Sequence, residues 1–186
     1  MTNHEHAIEA RATFIMLMLR EDHQKLKALF ELCDRTTMTK KREIMKETLA
    51  VLEVHANLKE ELIYPAWREH VHEQGLDLMA EARETLHVVQ VLIKALKHMD
   101  PEDERYEAMC TVLKEQVTHH IHEEEGKIFP LVEQIDLDWD RLTTDVIERH
   151  QRLEQKPLWL LGIPVIARAR EAVSTTRAVP SGLSQG

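Results

Sequence analysis

Apolar residues recur at intervals of three and four along most of this chain. Between Ala7 and Cys33 the positions Ile8, Phe14, Ile15, Leu17, Met18, Leu26, Leu29, Phe30 and Leu32 follow that spacing, which predicts an amphipathic helix. Thr36, Thr37 and Thr39 supply turn and capping candidates. A second run then starts near Lys40 and continues through Ile44, Met45, Leu49, Leu52, Leu58, Leu62 and Ile63. It is expected to end or kink at Pro65 and to finish by Gly75. A third run spans Leu76 to about Met99, with Leu78, Met79, Leu86, Val89, Leu92, Ile93 and Leu96. Asp100 and Pro101, followed by Glu102 and Asp103, read as the start of a fourth helix reaching about Pro130. A shorter helix is expected between Asp138 and Gln155. Beyond Lys156 the segment around Trp159 is apolar and rich in breakers, a short helix is expected at Val165 to Val173, and the tail from Ser174 is small and polar.

Four long helices with short links predict an all-α protein, an antiparallel four-helix bundle with additional C-terminal helical segments. The division expected is residues 1–135 for the bundle and 136–186 for the extension. The Trp159 segment would dock on the bundle or on a second subunit, giving a homodimer through the C-terminal apolar segment. Composition supports helices: five glycines and six prolines in 186 residues are too few turn residues for an all-β fold. The net charge of −9 repels phosphate backbones and anionic lipid, so neither nucleic acid nor a membrane is the expected partner. Cys33 and Cys110 stand far apart and outside any CxxC pattern, as expected of buried thiols in a reducing, cytoplasmic compartment. No basic, apolar leader opens the chain.

Twelve histidines change this picture. His23, His55 and Pro65 of the first helix pair map onto His87, His120 and Pro130 of the second at nearly equal spacings. The halves therefore read as duplicated hairpins related by a pseudo-two-fold axis, with one histidine per long helix. At about 1.5 Å per residue the four rings fall within one or two turns of a common layer. Imidazoles turned into a dry interior need hydrogen-bond partners or a metal. Glu124 lies one turn after His120 on the same face, a spacing that lets both reach one ion. The matching position after His55 is Lys59, which breaks the symmetry. Glu60, one position further on, is then the expected first-half carboxylate, with Lys59 turned out to solvent; Glu125 is its counterpart. The metal ligands expected are His23, His55, Glu60, His87, His120 and Glu124, a donor set suited to iron, manganese or zinc. His4, His6, His70, His72 and His98 read as ordinary surface residues. Of His119, His120 and His122 the repeat selects His120, and His150 is ambiguous.

At these residues the chain resembles the hemerythrin-like, HHE cation-binding family. The motifs are Leu19-Arg-Glu-Asp-His23, His55 with Glu60-Glu61-Leu-Ile-Tyr-Pro65, Leu86-His87, and His120-Ile-His-Glu-Glu124-Glu125-Gly-Lys-Ile-Phe-Pro130, in the family's order and over residues 14–132. The resemblance implies a four-helix bundle around an oxo- or hydroxo-bridged di-iron centre that takes O₂ or related small molecules at an open position. His23, His55, His87, His120 and Glu124 match family ligands, and Lys59 stands where the other bridging glutamate is usual, so either Glu60 takes over the bridge or the site holds one metal only. The extra histidine of the oxygen carriers is missing, since Arg83 and Val91 occupy the turns on either side of His87. The expectation is therefore a protein that binds, senses or reacts with O₂, peroxide or nitric oxide in preference to transporting O₂. The alternatives are an iron storage or donor protein and a metal-free helical interaction module.

Overall fold

The computed structural model describes residues 3–154, with side chains from residue 14 onward except that of residue 38. The expectations for the Trp159 segment, the helix at Val165 to Val173 and the tail fall outside the described residues. Every regular element among the described residues is helical. Helix α1 spans Asn3–Asp34 and α2 spans Met38–Leu58. A short π-turn at Lys59–Ile63 follows α2 and leads directly into α3, Tyr64–His70. Helix α4, Glu73–His98, is followed by α5, Tyr106–Glu123. A second π-turn at Glu124–Ile128 leads into α6, Phe129–Val132, and α7 is Trp139–Glu154.

Backbone dihedrals stay helical across both π-turns, so α2 to α3 and α5 to α6 are two continuous rods. Pro65 and Pro130 explain the wide turns. A proline offers no N–H and crowds the carbonyl one turn back. Widening the helix just before it relieves that crowding: Tyr64 N–H bonds the Lys59 carbonyl and Phe129 N–H bonds the Glu124 carbonyl, one position further back than in an α-helix. The end or kink expected at Pro65 is thus a bulge through which the rod continues to His70. The fourth helix starts later than expected, at Tyr106. Asp100 and Asp103 accept the backbone N–H groups of Glu102 and Arg105, local bonds that hold this stretch in turns.

The rods α1, α2–α3, α4 and α5–α6 pack in a ring, each against two neighbours, and α7 lies across α1, α2 and the first π-turn. Asp138 caps α7 by accepting the Arg141 N–H at 3.0 Å. Two apolar clusters fill the bundle. One gathers Ile15, Leu19, Trp67, Met79, Leu86, Phe129 and Val132 with Trp139 and Val146 of α7. The other gathers Leu26, Phe30, Met45, Leu52, Val89, Ile93, Leu113 and Val117. Burying each such side chain contributes about 1.5–3 kcal/mol, which makes these clusters the main source of cohesion. Along the rods, His23, His55, Lys59, His120 and Glu124 fall between the two clusters. No helix among the described residues is long and apolar enough to cross a membrane.

Candidate functional site

The inward positions of the two hairpins repeat, but the first helices and the second rods repeat at slightly different spacings. Met16, Leu19, His23, Leu26, Phe30 and Cys33 of α1 are all buried, and so, at one constant spacing, are their counterparts Met79, Ala82, Leu86, Val89, Ile93 and Leu96 of α4. The spacing in the second rods is a little longer. It pairs His55 with His120, Lys59 with Glu124, Ile63 with Ile128 and Tyr64 with Phe129, again all buried. The counterpart of His23 is therefore Leu86. His87, expected to point inward, is exposed. One position along a helix turns the side chain by about 100°, which carries this ring off the buried stripe.

Four of the expected residues do converge. His23 Nε2 lies 3.2 Å from Glu124 Oε2, and the ring centroids of His23 and His55 are 5.1 Å apart. His120 Nε2 lies 3.8 Å from Glu124 Oε2. His23, His55 and Glu124 each offer a donor atom, and these atoms lie within 4.8 Å of one another, a cluster that could hold a metal ion. His119 and His122 are exposed, as the repeat implied. His150 is buried on α7, with Nδ1 3.8 Å from Glu154, and does not join the cluster.

Lys59 reverses the expected arrangement. It is fully buried, with Nζ donating to Glu124 Oε2 at 2.5 Å and to His120 Nε2 at 2.6 Å. The reason is charge. A buried carboxylate at Glu124 needs a cation, and the first position of the opposite π-turn points one at it. Glu60, expected at the centre in place of Lys59, is only half-buried and accepts two bonds from Arg83 at 2.8 and 3.2 Å. Its counterpart Glu125 accepts the His23 Nδ1 proton at 2.7 Å. Glu60 has no such ring to meet, because position 86 is a leucine.

Three further residues shape the site. Asp22 Oδ2 lies 2.9 Å from His55 Nδ1, so Asp22 and Glu125 fix the orientation of one ring each. Tyr64 donates its hydroxyl to Glu124 Oε1 at 3.0 Å. Phe129 stacks on His23, with planes 6° apart and centroids 6.1 Å apart. Asp22 and Tyr64 sit inside motifs visible in the sequence, but only the three-dimensional register shows which ring or carboxylate each one holds.

Burial sets the protonation states. Desolvation, then the Lys59 charge, lower the His55 pKa despite the opposing Asp22, and the same two causes push His120 well down. Desolvation also lowers Lys59, against the pull of Glu124. Burial opposes ionisation of Glu124, yet the Lys59 charge with the neighbouring His23 and His120 outweighs it and holds the carboxyl well below the usual range. Desolvation and Glu124 keep Tyr64 neutral by raising its pKa well above the ordinary value. Neutral imidazoles beside an ionised carboxylate are the states in which these groups ligate metals.

The hemerythrin HHE cation-binding domain model matches residues 16–132. The chain belongs to this family. A hemerythrin HHE cation-binding domain-containing protein from Mycobacterium kansasii has a similar solved structure, with TM-score 0.60 and 21% identity over 78% of this chain and 90% of that one. At that identity the likeness concerns the fold. No curated protein matches this chain. The family assignment makes this a cation-binding domain.

The donor set decides how much of a family-type metal pair fits. His23 Nε2 is buried and has no hydrogen-bond partner, while Nδ1 of the same ring is taken by Glu125. A buried ring nitrogen without a hydrogen-bond partner beside a carboxylate fits a cation. The ammonium of Lys59 already uses His120 Nε2 and donates to the same Glu124 Oε2 that His23 Nε2 faces, and Leu86 and Phe129 offer no donor for a second ion. One metal fits the residues present, and a di-iron pair does not.

Proposed function

We propose that this hemerythrin-family domain binds one redox-active transition-metal ion through His23, His55 and Glu124, with iron the first expectation, and through it senses or reacts with O₂, peroxide or nitric oxide. The observation that carries the reading is the unpartnered Nε2 of His23, buried 3.2 Å from Glu124 Oε2. Two imidazoles and one carboxylate are the donor set of many non-haem ferrous sites; manganese and zinc are the competing ions. When bound, the metal would supply redox chemistry and an open position for a small ligand.

The chain's own residues prepare that position. Glu125 and Asp22 hold the two imidazoles by their Nδ1 atoms, leaving the other ring nitrogens for the ion. Tyr64 secures the second oxygen of Glu124 and also lines a surface cleft of about 320 Å³ beside Arg68, Met79 and Arg83. The cleft and the centre are thus linked through one side chain. A lysine donating to the same carboxylate makes an O₂-carrying metal pair a poor match, in keeping with a sensing, redox or detoxifying role. The test is metal analysis of protein purified with iron, followed by anaerobic ferrous loading and exposure to each small ligand. One iron per chain, lost in His55→Ala and changing its absorption with at least one ligand, is expected. Protein that takes up no iron, or a His55→Ala variant that keeps it all, would refute the reading.

A further inference from the structure

Lys59 and Glu124 occupy corresponding places in the two hairpins, the first residue of each π-turn, and both side chains are fully buried. The pseudo-two-fold axis brings these two positions face to face. Like carboxylates meeting there would need metal cations or a shared proton between them. Here one side presents an ammonium and the other a carboxylate, 2.5 Å apart, so the pair neutralises itself. The ammonium is satisfied on two further sides, by His120 Nε2 at 2.6 Å and by the face of Tyr64, whose ring centroid is 5.0 Å away. Its neighbours from the second hairpin complete the case. His120 is the one imidazole that this hairpin sends inward among the described residues, and its Nε2 is spent on Lys59.

We propose that the Lys59 ammonium is a covalently tethered cation standing in for a second metal ion, so that this bundle is built for one exchangeable metal and one fixed charge. The proposal deepens the reading of His23, His55 and Glu124 as a metal site, but its central claim concerns the contacts of Lys59 with His120 and Glu124 and can be tested separately. A second ion bound by His120 and Glu124 would have to displace the ammonium from both atoms while sharing the cavity with its charge. Restoring an acid at position 59 removes the charge and adds a donor.

The experiment uses the full chain stripped by a chelator and titrated with cobalt(II), counting bound metal and following its visible absorption and the melting temperature. Wild type should bind one equivalent. Lys59→Glu should bind one more than wild type, and should melt lower than wild type without metal and recover as cobalt(II) is added. Lys59→Met, which removes the charge without adding a donor, should hold wild-type stoichiometry with affinity at least about tenfold tighter, since the ion no longer faces a buried like charge. Two equivalents in wild type, or equal counts in wild type and a folded Lys59→Glu, would overturn the proposal. No metal in wild type but one in Lys59→Glu would sink the metal reading of His23 and His55 while supporting the tethered cation. Should Lys59→Glu fail to fold, Lys59→Met decides: affinity equal to wild type rejects the proposal.

Discussion

The first hairpin sends His23, His55, Lys59 and Tyr64 to the centre of the bundle; the second sends Leu86, His120, Glu124 and Phe129 to the corresponding places. Both hairpins keep the same rods, the same π-turns and the same prolines, so the backbone of the site is duplicated while its chemistry is not. The first hairpin supplies two imidazoles and a positive charge, and the second supplies one imidazole, the acid and apolar fill. Glu125 reaches across to orient His23, whereas its counterpart Glu60, facing a leucine, turns to Arg83 at the surface. Two copies of one scaffold have become complementary halves of a single centre.

The largest test of that complementarity is Glu124→Ala. It strands a buried ammonium that has no water to turn to, and removing one partner of a buried pair costs about 3–5 kcal/mol. In a domain of this size the metal-free protein should melt roughly 10 °C lower. Lys59→Met with Glu124→Leu, which removes both charges, should recover much of that loss. Equal destabilisation by the single and double changes, read by thermal melting, would mean that the pair is not the reason both charges are buried.

The two orienting carboxylates sharpen the comparison on metal affinity. Glu125→Gln and Asp22→Asn each loosen one imidazole and should weaken metal binding by about 10–100-fold. Glu60→Gln, at the symmetry-related place, should leave affinity unchanged because Glu60 holds only Arg83. Competition titration against a chromophoric chelator reads all three. Equal losses at Glu60 and Glu125 would make the hairpins equivalent after all.

Acid should act through the two imidazoles that the hairpins share as counterparts. Burial and the Lys59 charge hold His55 and His120 below their ordinary value of 6.5. Below about pH 6.5 the unfolded chain therefore takes up protons that the native state refuses, and stability must fall as pH falls. Metal-free protein should show a melting temperature that declines as pH drops from about 6.5, in a His55→Ala variant more shallowly. Acid should also release bound metal from the loaded form. A flat profile between about pH 7 and pH 5 would show that these rings accept protons freely in the folded state.

Much of the fold could be read from spacing alone, because helices with apolar residues at threes and fours and few glycines have one economical packing. The inward placement of His23, His55, His120 and Glu124 followed from the same periodicity. Two errors share a physical origin. Matching histidine to histidine pairs His23 with His87 at nearly the spacing of the second rods, whereas the first helices repeat at a shorter spacing because the connections differ in length. Matching the apolar stripe of α1 to that of α4, instead of matching histidine to histidine, would have put Leu86 opposite His23. The sequence points Lys59 outward because a lone buried ammonium is prohibitive, and the partner that makes it tolerable, Glu124, lies on another rod far along the chain. Pairing across a pseudo-symmetry axis leaves no local signature.

The smallest expected effect falls on the residue that most resembles a ligand. His87 follows Leu86 in the position where a family motif would place its third-helix histidine, yet its ring lies on the exposed side of α4. Residues near it on that surface include Val88 and Val91, 45% and 53% exposed, so this stretch of the helix faces water on a broad front. His87→Ala removes no buried contact and places the best helix former in a helix interior. Its stability should change by less than about 0.5 kcal/mol, in the stabilising direction if at all. Metal count and affinity should match wild type. Leu86→His, made beside it, adds an imidazole on the inward stripe and should lower metal-free stability by burying a polar ring whose symmetry-related acceptor, Glu60, is already held by Arg83. If His87→Ala loses metal while Leu86→His is benign, α4 is rotated by one position from the register described, and the second hairpin contributes a histidine that would make it the equal of the first.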